Sequence, residues 1–291
     1  MEGLRQDDPA RIGEFVTLAR LDAESARHGV PERRFLARSS DGARTVVVSL
    51  PLPGTDPGRW AAEAQWAGRL TQPGFWPVTQ LGGSAAFPWH ATPYRPLLPL
   101  TAVLAAHGGP LPEATVRAIG AALAETLASA HVLGLVHGGI SPASVLLTAH
   151  GPLLSCFGAT RSLAPEGLPR AGLPGLEPGC LAPEAATGGP VDAAGDVHAL
   201  GAVLAYLATG HTVPERNEVP AGLRPLIAAC LSRDPAGRPA PARLLGELAP
   251  GAAYGTLTAG TEPLSLPGRV VAALSEQAAW VLAAELPAEV R

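Results

Sequence analysis

Four short stretches of the first hundred residues, 14–21, 34–38, 45–50 and 90–94, carry apolar residues between polar and turn-forming ones and read as β-strands. Asp41-Gly42 between the second and third stretches is a turn signal. Between the third and fourth the pattern changes to a helical spacing over 56–70, with Asp56-Pro57 as the entry. From Pro112 the chain turns helical, with Val116, Ile119, Leu123, Leu127 and Ala130 three and four apart. Further helices are predicted over 193–209, 223–231 and 241–248. Residues 158–181 are rich in Gly and Pro and predict a loop with no regular element. Near the end, 266–286 puts Val270, Leu274, Val281 and Leu282 near helical spacing, with Ser265 as a candidate N-cap and Pro267 in the first turn.

Composition narrows the function classes. With 291 residues, 47% of them hydrophobic, the chain can bury a core of one large domain or two lobes. A net charge of −4 with no basic run gives no footprint for nucleic acid. No run of 18 apolar residues occurs and the first residues have no apolar leader segment, so no membrane attachment is expected. Cys156, Cys180 and Cys230 are isolated, which suits buried thiols in a reducing cytoplasm better than a metal site. The chain has no lysine and a single asparagine, Asn217. Its Ala, Gly, Pro and Arg usage resembles the coding bias of a GC-rich genome, so the missing lysine says little alone.

A set of motifs changes the picture. His137-Gly138-Gly139-Ile140-Ser141-Pro142-Ala143-Ser144 runs into the aliphatic Val145-Leu146-Leu147, and Ser155-Cys156-Phe157-Gly158 follows closely. Downstream stand Ala182-Pro183-Glu184, then Asp196-Val197-His198-Ala199-Leu200-Gly201, then Asp234-Pro235-Ala236-Gly237-Arg238-Pro239. Upstream stand Asp8-Pro9-Ala10-Arg11-Ile12-Gly13 and Pro88-Trp89-His90-Ala91-Thr92 with Tyr94. In this order and spacing the chain resembles the bacterial eukaryotic-like (Hanks-type) serine/threonine kinase family in its actinobacterial form, over residues 12–249. The resemblance implies an α+β, bilobal protein-kinase-like fold. It has a small β-rich N-lobe with one main helix (12–95), a larger α-helical C-lobe (96–249) and a C-terminal tail carrying an amphipathic helix (250–291).

By the same resemblance, Glu184 and Arg238 form a buried ion pair, Asp196 accepts hydrogen bonds from the catalytic-loop backbone, and His137 and Phe157 stack in the column joining the lobes. Other positions depart from the family pattern. Gly139 stands at the catalytic Asp, Ser141 at the loop Lys, Ser144 at the metal-binding Asn, Cys156 at the metal-binding Asp and Ser49 at the phosphate-contacting Lys. Val47 replaces the small residue over the adenine, Thr92 is the gatekeeper, and Tyr94 and Leu146 line the cleft with them. Residues 21–30 replace the glycine-rich loop and keep only Gly29, with Asp22 and Glu24 set to repel phosphate.

Loss of a general base costs about 10²- to 10⁴-fold in rate, so these departures lead to the expectation of a catalytically inactive pseudokinase, not an enzyme. It would act as an allosteric regulator or scaffold through a protein partner or a small-molecule ligand, and bind neither ATP nor magnesium. The alternatives are an unconventional transferase reusing the cleft with Glu63, His137 and Cys156, and a metal-independent nucleotide-binding sensor. Glu63 reads as a solvated helix carboxylate, or else as the partner of Arg33, Arg34 or Arg44. Cys156 reads as a buried thiol, with no basic neighbour evident in the sequence, or else as a redox or metal site. Thr160 and Ser162 are candidates for phosphorylation by another kinase. The tail helix is expected to dock on its own C-lobe, or else to form a homodimer or partner surface.

Overall fold

Seven elements build the first lobe: β1 (Arg11–Ile12), β2 (Phe15–Arg20), β3 (Glu32–Ser39), β4 (Thr45–Pro51), α1 (Pro57–Ala67), β5 (Gln80–Ser84) and β6 (Phe87–Pro93). These come from a computed structural model that describes residues 2–22, 29–251, 255, 257 and 264–285. The strands form one antiparallel sheet in the order β1-β2-β3-β4-β6-β5. Alternation sorts the side chains of β4: Val46 and Val48 pack with Phe15, Phe35 and Trp89, whereas Val47 joins Ala19, Leu36 and Leu146 on the other side. Helix α1 starts where Asp56 accepts from the Arg59 amide at 2.7 Å, with Pro57 in the first turn. Strand β5, Gln-Leu-Gly-Gly-Ser, carries one apolar side chain and two glycines and so gives no strand signal in the sequence. Its Gly82 lies under the Trp89 ring, where a Cβ would come within 2.2 Å.

The second lobe follows with β7 (Leu98–Pro99), α2 (Leu100–His107), α3 (Glu113–Val132), β8 (Val145–Thr148), β9 (Gly151–Leu154), α4 (Ala159–Leu163), α5 (Pro183–Ala186), α6 (Ala193–Thr209), α7 (Arg224–Cys230), α8 (Pro241–Leu248) and α9 (Gly268–Ala283). Strands β7, β8 and β9 make a small second sheet. Helices α3 and α6 form the centre of the core, with Val116, Ile119, Leu123, Leu127, Leu200, Val203, Leu204 and Leu207 fully buried. Asp192 caps α6 by accepting from the Gly195 amide at 2.8 Å. This is the α+β arrangement of a curled-sheet N-lobe on a helical C-lobe. Among the described residues no helix is long and apolar enough to cross a membrane.

Two expectations about elements change. The segment 158–181 is not wholly irregular: α4 occupies its start, held by Ser162 donating to the Ala159 carbonyl at 2.9 Å. The tail helix also does more than dock on the helical lobe. Val270 and Leu274 join that lobe's core, but Val281 packs with Ala19, Leu21, Leu36 and Val47 of the first lobe.

Candidate functional site

The loop 137–144 is shaped by one carboxylate. Asp196 at the start of α6 accepts from the amides of His137 and Gly138, both at 2.8 Å, and lies 3.0 Å from His131 Nε2. Gly138 has φ +60, and a Cβ there would stand 2.6 Å from Val191 and 2.7 Å from Arg161. At Gly139 a Cβ would meet the Cys156 carbonyl oxygen at 2.6 Å, so this position has no room for an acidic side chain. The remaining loop polar groups are spent on one another: the Ser141 amide donates to Ser144 Oγ at 2.7 Å, and Ser155 Oγ donates to the Ser144 carbonyl at 2.7 Å.

His137 is fully buried, stacks on Phe75 (6.0 Å between centroids) and lies edge-on to Phe157 (5.8 Å). Burial, opposed by the nearby Asp196 carboxylate, pushes its pKa down to about 4. Both ring nitrogens are without a hydrogen-bond partner. The ring is neutral at pH 7 and sits as a packing unit between the lobes.

Arg34 brings a charge to the cleft that no motif announced. Rising from β3, it donates to both carboxylate oxygens of Asp22, to Ser155 Oγ at 3.0 Å and to the Ala143 carbonyl at 2.8 Å, with Cys156 Sγ 3.9 Å away. Its side chain is fully buried. Burial works against the charge, but the Asp22 carboxylate, Cys156 and Glu32 together raise the Arg34 pKa. Cys156 thus has the basic neighbour that the sequence did not reveal, yet burial, the largest influence, pushes its thiol well up and keeps it protonated. Cys156 also takes a positive φ of 61.

Glu63 is neither solvated nor paired with Arg33, Arg34 or Arg44. Its carboxylate takes two hydrogen bonds from Arg161 of α4, at 2.9 and 2.8 Å, and covers Gly158 so closely that a Cβ there would lie 2.0 Å away. Sequence reasoning considered only arginines in the N-lobe and missed this one. Ser49 instead faces Glu32, a buried carboxylate. Burial raises the pKa of Glu32, but His90, 3.6 Å away, and Arg34 and Ser49 hold it below the usual range. Thr92 is buried beside this group, and the cavity that Glu32, Ser49, Glu63, Thr92, Cys156 and Phe157 help to line has about 20 Å³. That is room for about one water molecule.

Thr160 and Ser162 are both buried, so neither hydroxyl is accessible while α4 is formed. Further along, Arg238 makes a two-pronged pair with Glu184, at 2.5 and 2.8 Å, and donates to the Ala194 and Ser232 carbonyls. Burial works to raise the Glu184 pKa; the hydrogen bond and charge of Arg238, with a backbone hydrogen bond and His198, together hold the carboxyl below its usual range. On the hinge side, Val47, Leu146 and Tyr94 share one cluster with Val281. The segment 23–28, where the glycine-rich loop would be, lies outside the described residues.

The donors here suit no hard cation. Magnesium wants an octahedron of oxygens. The candidate positions offer a protonated thiol at Cys156 and a hydroxyl at Ser144 that is engaged by the Ser141 amide. Among the described residues no group of three or more His, Cys, Asp or Glu side chains is placed to hold a metal.

Known proteins resemble this chain over most of its length. It is 33% identical over 93% of its residues to the serine/threonine-protein kinase AfsK of Streptomyces coelicolor, covering 36% of that protein. It is 34% identical over 85% of its residues to the probable serine/threonine-protein kinase PkwA of Thermomonospora curvata, covering 35%. The chain therefore spans about a third of the length of the curated relatives it matches. The kinase domain of Mycobacterium tuberculosis PknI, in a mutant form, superposes with a TM-score of 0.60 at 24% identity, covering 81% of this chain and 96% of that one, which is a likeness of fold. No protein-family profile matches. These relatives overturn the expectations of a non-enzyme, of a pseudokinase acting as scaffold or regulator, and of a domain without ATP or magnesium: the proteins it resembles are named kinases.

Proposed function

The chain belongs to the Hanks-type bacterial serine/threonine protein kinase family, and from that premise we propose that it transfers a phosphoryl group from ATP to a serine or threonine hydroxyl. The single observation that carries this reading is kinship along 85–93% of the chain with proteins named for that activity. The frame of the site supports it, since Asp196 holds the loop 137–144 and the Glu184–Arg238 pair ties down the segment before it.

Phosphoryl transfer is driven mostly by positioning and charge neutralisation. In this cleft the charge next to the loop 137–144 and to Ser155 is Arg34; its guanidinium is buried and held by Asp22, Ser155 and the Ala143 carbonyl, so Arg34, not Ser49, meets the phosphates only once Asp22 releases it. An arginine fork suits phosphate oxygens better than a hydroxyl does. Kinases take magnesium with ATP, but the donors around Cys156 and Ser144 do not fit that ion, so no step is routed through it. The acceptor hydroxyl would enter beside Gly139, where a cavity of about 40 Å³ is lined by Gly139, Ser141, Thr160, Glu177 and Asp196 among others. A cytoplasmic location accords with three buried, unpaired cysteines.

The test is label transfer from γ-labelled ATP to serine- and threonine-bearing peptides by the purified chain, with magnesium, with manganese and with neither. Transfer that disappears in Arg34→Met, while its thermal transition is retained, is the expected result. Absence of transfer under all three conditions would overturn the proposal.

A further inference from the structure

We infer that α9 is a built-in cover on the nucleotide cleft, which the chain must lift before an adenine ring can reach the segment joining the lobes. This rests on the kinase reading above and adds a regulation of that same site.

Three contacts fix the helix there. The Gln277 carboxamide oxygen accepts from the Leu97 amide at 2.9 Å and from the Tyr94 hydroxyl at 3.2 Å. A ligand that reads the Leu97 backbone has to displace that side chain, because the amide's one proton is already used. One turn on, Val281 is 3% exposed and belongs to the buried cluster that also holds Val47, Leu146, Leu97, Leu36 and Trp76. Val47 and Leu146 are two positions that the family pattern assigns to the adenine pocket, so an aliphatic side chain from the tail joins the apolar cluster they belong to. At the end of the helix, Arg38 of β3 donates to the carbonyls of Val281 and Ala284 at 2.6 and 2.5 Å. It closes carbonyls that a helix C-terminus leaves open and puts a positive charge at the negative end of the dipole.

The two ends of α9 hold different lobes. Val270 and Leu274 are anchored in the helical core, whereas Gln277, Val281 and the Arg38 contacts hold the hinge and the sheet. The helix therefore bridges the lobes as well as covering the cleft. Its flank is not packed throughout: an open cavity of about 310 Å³ is lined by Ala19, Leu98, Ala273, Gln277 and Trp280 among others. The second half of the helix can thus lift while the first stays anchored.

The experiment uses the full chain, with Val281→Asp to expel the helix end. Hydrogen exchange across 268–283 reports the helix and calorimetry reports ATP binding. Release of the helix should come with ATP affinity raised about tenfold or more, the gain expected when the competent form is about a tenth of the molecules or less. Equal ATP affinity in the two proteins, with the helix released in the variant, would overturn the cover and leave the kinase reading intact. No ATP binding by either, with the helix released, would overturn both, and the label-transfer assay would then be silent too. If Val281→Asp lacks a cooperative thermal transition, Gln277→Ala, which removes only the Leu97 and Tyr94 hydrogen bonds, decides by the same two readouts.

Discussion

At the scale of single residues, His137 has the clearest consequence for solution behaviour. Its folded pKa of about 4 lies below the ordinary histidine value, so the unfolded chain takes up a proton first as the pH falls. The folded state carries no such penalty above about pH 6.5, the ordinary histidine pKa. It loses stability as the pH drops from there towards 4, by about 3 kcal/mol in all. His198, also lowered by burial, adds a loss of the same sign. In His137→Phe, denaturant melts at pH 7 and pH 4.5 should differ by clearly less than in the parent. An equal difference in both proteins would show that the buried imidazole does not set the profile. The His137 position is legible in its motif, but the burial that keeps its ring neutral required the fold, which packs it against Phe75 and Phe157.

At the scale of elements, α4 and α1 are joined by one partly buried pair, Glu63 with Arg161, and by Arg59 donating to the Ser162 carbonyl at 3.3 Å. Helix α4 has five residues, too few to persist without such contacts. Arg161→Ala should raise amide exchange across 159–163 and expose Thr160 and Ser162, at a cost of about 1 kcal/mol in global stability. Unchanged exchange there would mean that packing alone holds the helix. Periodicity could not have found α4, because five residues in a Gly- and Pro-rich stretch are too few to display a helical repeat. The longer α3 and α6, with apolar residues three and four apart, were legible throughout.

At the scale of the molecule, the lower lobe hangs on the Glu184–Arg238 pair, whose guanidinium side chain is 1% exposed and reaches α5, α6 and the turn at Ser232. Arg238→Ala leaves the partly buried Glu184 without its charged hydrogen-bond partner and should cost about 2 kcal/mol. A chemical melt measures it, and a loss under 1 kcal/mol would make the pair incidental to stability. At this scale single motif positions and the whole sequence point in different directions. Position by position, Gly139, Ser144 and Cys156 pointed to a domain without kinase chemistry. Relatives alike over 85–93% of the chain point instead to a kinase, because kinship is carried by the whole sequence and not by a few motif positions.

By itself the sequence determined β2, β3, β4 and β6, the longer helices and the frame of motifs whose family resemblance implied the two-lobed fold, because those signals are local: apolar strand segments, helical repeats in α3 and α6, fixed spacing from His137 to Arg238. Only the tertiary structure decided what fills the cleft. Arg34 meets Ser155 across 121 residues, Glu63 meets Arg161 across 98, and Gln277 meets Leu97 across 180. Contacts at such separations leave no periodic trace. Each depends on which lobe surfaces the folded chain brings face to face.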